Sequence, residues 1–127
     1  MGNHIPINLF HILAVGPFFL YVAMVRGQLM PWIFNVMTGL GLLVLVYHGL
    51  TAIKKYYAQS LSTWVNLIHV IGVAPLLVYV GVKGYDTPRW AFELLAMLAF
   101  GTIGYHIYAI AQELQSRNAD LKTAGGV

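Results

Sequence analysis

Four apolar runs, each close to the roughly 20 residues needed to cross a bilayer, constrain this chain more than any other feature. They cover residues 7–25, 31–53, 63–82 and 89–111. Between them lie Arg26-Gly27-Gln28, then Lys54-Lys55 through Ser62, then Lys83 through Pro88. Short polar segments bearing Gly and Pro are the turns expected between antiparallel helices. Pro6, Pro31 and Pro88 stand at or just before helix starts, where the missing N–H costs little. Trp32, Trp64 and Trp90 fall near the run ends, as interface anchors do.

Composition closes off the soluble alternative. Hydrophobic residues make up 59% of the 127 and charged residues 9%, against about 25% charged in a soluble domain. So few polar side chains cannot cover a water-facing surface, and the lipid bilayer is the expected partner. The net charge of +3 does not point to nucleic acid, because the basic residues sit near the run ends, where they snorkel to headgroups. With no cysteine, disulfides and thiolate metal sites are excluded. Met1-Gly2 opens like a myristoylation signal, but Pro6 stands where that motif requires Ser or Thr. The first run lacks the basic lead-in of a secretory signal. The expectation is one membrane domain over residues 1–127.

Sliding the sequence on itself by 58 positions aligns the halves without a gap. Identical pairs include Asn8/Asn66, His11/His69, Pro17/Pro75, Tyr21/Tyr79, Trp32/Trp90, Phe34/Phe92, Tyr47/Tyr105 and His48/His106. Chance pairing of apolar residues does not readily match histidine, proline, asparagine and tryptophan at one offset. The reading is a tandem repeat, with unit one over about 6–58, unit two over about 64–116, and a polar C-terminal tail over 117–127. The chain is expected to fray from Gln112 onward. Each unit holds two helices, so both copies enter the membrane in the same direction. The expected fold is an all-α integral membrane protein: a four-helix bundle of two parallel helical-hairpin repeats about a pseudo-two-fold axis.

Four spans put both termini on one side. That side carries Lys54, Lys55, Arg117 and Lys122 against Arg26, Lys83 and Arg89 opposite, which points to it as cytoplasmic. His11 and His69 come early in helices leaving that side, and His48 and His106 come late in helices returning to it. At 1.5 Å rise per residue all four lie roughly 7–11 Å inside the same face. Asn8 and Asn66 precede His11 and His69 by three residues and share their helical faces. Tyr47 and Tyr105 directly precede His48 and His106 and can donate to a neighbouring helix. Thr102 shares a face with His106.

Three readings fit this layer. It binds haem or a transition metal, with His11, His48, His69 and His106 as ligands and Asn8, Asn66, Tyr47 and Tyr105 around them. Neutral imidazole is the commonest metal ligand, and its second nitrogen needs an orienting partner. Alternatively the layer lines a proton, ion or small-substrate path, as in a channel or transporter. Or it is structural, with interhelical hydrogen bonds and no ligand. All four histidines lie near one face, so two haems at opposite faces are not expected. Ala14, Gly49, Gly72 and Gly104 leave room beside the layer for a flat macrocycle or a close helix approach.

Pro17 and Pro75 lie mid-helix and should bend their helices, freeing the carbonyls of Leu13 and Ile71. Gly39, Gly41, Gly101 and Gly104 suit close backbone packing. Glu93 lies four residues past Arg89, which suits an ion pair. No nucleophile–base set, phosphate loop or paired acidic site is visible, which argues against an enzyme. A homo-oligomer is compatible with the pattern.

The paired phrases His11-Ile-Leu-Ala-Val-Gly-Pro-Phe-Phe-Leu-Tyr-Val and His69-Val-Ile-Gly-Val-Ala-Pro-Leu-Leu-Val-Tyr-Val carry a family likeness. The chain resembles small multi-span membrane proteins encoded by large DNA viruses of algae and protists. The resemblance implies a viral protein of a virion or host membrane and brings no catalytic residues with it.

Overall fold

A computed structural model describes residues 3–125. It is built from four long helices: α1 (Ile5–Gln28), α2 (Pro31–Tyr57), α3 (Thr63–Asp86) and α4 (Arg89–Ala124). Each is long and apolar enough to cross a membrane, and no strand occurs among the described residues. The helix starts follow the sequence. Met30 and Pro88 are extended, and the helices begin just after them at Pro31 and Arg89.

The interior prolines act through a wider turn. His11–Val15 and His69–Val73 are π-helical. The Gly16 N–H bonds to the His11 carbonyl, and the Ala74 N–H to the His69 carbonyl, each five residues back. A proline has no N–H to give, and its ring collides with the carbonyl four residues earlier. The extra residue in a π turn relieves both problems. The bends expected at Pro17 and Pro75 therefore take the form of π turns that begin at the histidines themselves.

Two helix pairs dominate the packing: α2 lies along α3, and α1 along α4. Helices α1 and α2, consecutive in the chain, scarcely meet. Small residues permit the close approaches. A side chain at Gly41 would meet Val78 and the Ala74 carbonyl, and one at Gly81 would meet Thr38 and the Phe34 carbonyl. On the other pair, Gly16 lies against Ile103. Gly39, Gly101 and Gly104 face open space, so of the four glycines expected at contacts only Gly41 makes one. Helix periodicity alone could not tell these glycines apart.

Several positions 58 residues apart are alike in burial. Val22 and Val80, Phe34 and Phe92, Met37 and Leu95, and Asn8 and Asn66 are all buried. At Arg26 and Gly84 the α-helical turns of α1 and α3 give way to a last, tighter turn, with φ 51 and ψ −117 and with φ 55 and ψ −125. These are left-handed conformations that suit glycine and strain arginine.

The core gathers at one end of the bundle. Leu29, Met37, Leu77, Leu95, Val22 and Val80 are fully enclosed there. The Tyr85 hydroxyl crosses to the Leu29 carbonyl at 2.7 Å. Thr87 donates to the carbonyls of Val80 and Gly84.

The end of α4 corrects one expectation. Residues from Gln112 onward were expected to fray, yet α4 stays helical to Ala124. Glu113 and Arg117 pair at 2.6 Å in the favourable i,i+4 order. At 1.5 Å per residue its 36 residues reach about 54 Å, well past its neighbours. Arg89 and Glu93 also form the expected pair, at 2.6 Å.

Candidate functional site

The end opposite the core holds the four histidines, which sort into two pairs. His11 of α1 stacks on His106 of α4, with ring centres 4.2 Å apart and planes 21° apart. His48 of α2 stacks on His69 of α3 at 4.0 Å and 14°. Each stack therefore belongs to one packed helix pair.

Every imidazole is held by its Nδ1. His11 Nδ1 lies 2.8 Å from the Ile7 carbonyl, and His69 Nδ1 2.7 Å from the Val65 carbonyl. A carbonyl only accepts, so both nitrogens donate. His106 Nδ1 lies 2.7 Å from Asn8 Oδ1, and His48 Nδ1 2.9 Å from Asn66 Oδ1. Asn66 Nδ2 donates to the Ser62 carbonyl at 3.4 Å, which turns its oxygen toward His48. Asn8 and Asn66 are themselves buried. With Nδ1 protonated, a neutral ring carries its bare lone pair on Nε2.

The four rings line one space. A cavity of about 950 Å³ is lined by all four histidines, both asparagines, Tyr47 and Tyr105. Among the described residues no buried side-chain nitrogen or oxygen lacks a partner, so a ring nitrogen without a hydrogen bond is not sealed inside the protein. Tyr47 and Tyr105 stand edge-on to His48 and His106, with ring centres 5.1 and 5.2 Å away. The tyrosines pack against the imidazoles, whose Nδ1 bonds go elsewhere. Thus all eight residues singled out from the sequence meet at one site.

Residues that sequence reasoning passed over complete the site. Lys55, Gln112, Ser116 and Arg117 line the cavity. Lys55 lies seven residues past His48 and Arg117 eleven past His106, two and three helical turns on the same faces. That spacing was the available signal. A second space of about 400 Å³ runs between α1 and α2, and it also touches His11, His48 and His69. Thr102 lines this groove.

Among the described residues, no group of three or more His, Cys, Asp or Glu is arranged to hold a metal ion. The imidazoles offer donors in twos. No family model, curated protein or solved structure matches this chain.

Proposed function

We propose that the chain is an integral membrane protein of two tandem helical hairpins that binds an iron porphyrin in the histidine cavity, with His48 and His106 as axial ligands. One observation carries the reading: all four imidazoles are anchored through Nδ1, which leaves Nε2 as the uncommitted nitrogen of four rings that line a shared cavity. This is the tautomer and the outer-shell support that metal-bound histidines use. His48 and His106 are chosen because they come from different helix pairs and share the asparagine anchor. An axial pair needs iron between its rings, and the stacks at 4.2 and 4.0 Å leave no room for it. Lys55 lines the cavity, as does Arg117 beside its Glu113 partner, and the two cations suit the two porphyrin carboxylates.

The other readings have less support. A bare metal ion finds no three-donor group among the described residues. A conducting path would have to cross the closed core of Met37, Leu77 and Leu95. A purely structural layer would not need open ring nitrogens. Placement in a virion or host membrane, with the histidine face toward the cytoplasm, is part of the proposal and rests on the sequence likeness and the lysine and arginine balance. Self-association within that membrane is left as part of the same proposal.

An absorption spectrum of detergent-purified protein, expressed with haem available, tests the reading. The expected result is a Soret band, lost in His48→Ala or His106→Ala and retained in His11→Ala. A colourless protein that takes up no added hemin overturns it.

A further inference from the structure

The groove between α1 and α2 meets the wide cavity at His11, His48 and His69. It opens along the side of the bundle where these helices part, and its walls are mostly hydrocarbon: Ala14 and Phe18 on α1, Leu40 and Leu43 on α2. From the level of His48 down to Val36 is twelve residues, about 18 Å along the helix. A volume of about 400 Å³ over that length gives a section of about 22 Å². That is room for one extended hydrocarbon chain.

The upper end of the groove is chemically particular. It touches His11 and His69, whose Nδ1 atoms are committed to backbone carbonyls. Their Nε2 atoms are left as acceptors, which favours a head that brings hydrogen-bond donors. A choline or ester headgroup offers none. A hydroxylated ring offers donors and a flat face for the neighbouring Phe10 and Phe18. His11 and His69 belong to different helix pairs, so a head with two opposed hydroxyls can reach one on each.

From this juxtaposition we infer that the α1–α2 groove binds an alkylated hydroquinone from the bilayer, with its chain along Ala14 and Leu43 and its hydroxyls on His11 and His69. The inference rests on the membrane placement proposed above. It does not need the porphyrin, which uses the other two histidines.

The test titrates decylhydroquinone, kept reduced, into protein held in phosphatidylcholine nanodiscs, with empty nanodiscs as the partition control. Calorimetry should show saturable binding near one per chain. Decylhydroquinone dimethyl ether, which has the same shape and no donors, should bind at least tenfold more weakly. Ala14→Phe fills the groove and should weaken binding at least tenfold with the melting temperature unchanged. Leu43→Trp serves the same purpose if Ala14→Phe folds poorly. Equal binding of the ether, an unaffected groove variant, or partition with no saturation each overturn the inference. A colourless protein that binds the hydroquinone sinks the porphyrin alone, and a haem-loaded protein with no saturable hydroquinone binding sinks the groove alone.

Discussion

The two ends of this bundle solve opposite problems with the same four helices. Around Leu29 the side chains interlock: Met37, Leu77, Leu95, Val22 and Val80 are fully enclosed. Hydroxyls of Tyr85 and Thr87 close the backbone groups there. Around His48 the helix pairs stand apart, and polar side chains line a space of about 950 Å³. One end holds the helices together by close packing. The other joins its helices in pairs, through two histidine stacks and two histidine–asparagine bonds. Stability and chemistry are thereby separated along the bundle axis, so changes at one end should leave the other measurable.

That separation can be broken most sharply at Gly81. A β-carbon there would run into Thr38 and the Phe34 carbonyl, so Gly81→Val should force α2 from α3 and cost about 3 kcal/mol or more. Unfolding followed by circular dichroism in mixed detergent reads this. Gly104, which faces open space, should accept alanine with no loss, and equal losses at the two sites would refute the packing contrast. Next in size is Leu77→Ala, expected to cost about 2–4 kcal/mol through the cavity it leaves. Asn66→Ala should be milder, about 0.6 kcal/mol for one interhelical hydrogen bond. Its larger effect should be on haem affinity, weakened about tenfold by loss of the anchor on His48. An unchanged affinity would detach the asparagine from the site. Smallest is Arg26→Gly, which relieves a left-handed arginine and should raise stability by about 0.5–1 kcal/mol, even though the Arg26 bond to the Ala23 carbonyl is lost. The thermal midpoint should rise, and a fall would mean that this bond outweighs the strain.

Much of this was legible before any coordinates. The four runs located the helices, and counting residues from their ends put the histidines at one level. The asparagines suggested themselves as anchors because polar groups inside an apolar layer need partners. Three things were not legible, each for a physical reason. Periodicity reports which face of a helix is apolar and says nothing of its neighbour, so the pairing of α1 with α4 was hidden. Asn8 anchors the histidine of α4, while the closer candidate in sequence, His11, turns to its own backbone. A mid-helix proline announces a disturbance without fixing its form, and here the form is a π turn. The polar end of α4 lacks an apolar stripe, the usual mark of a packed helix, yet its good helix formers and the Glu113–Arg117 pair carry the winding on.

The crossing of the anchors has a consequence for how such a molecule could arise. Residues 1–58 contain Asn8, His11 and His48, and residues 59–127 contain Asn66, His69 and His106. Each asparagine nevertheless holds the late histidine of the other half. Either half alone carries one of every part and can assemble neither anchored pair. Two identical hairpins side by side could assemble both, so a homodimer of one short hairpin would possess both anchored pairs.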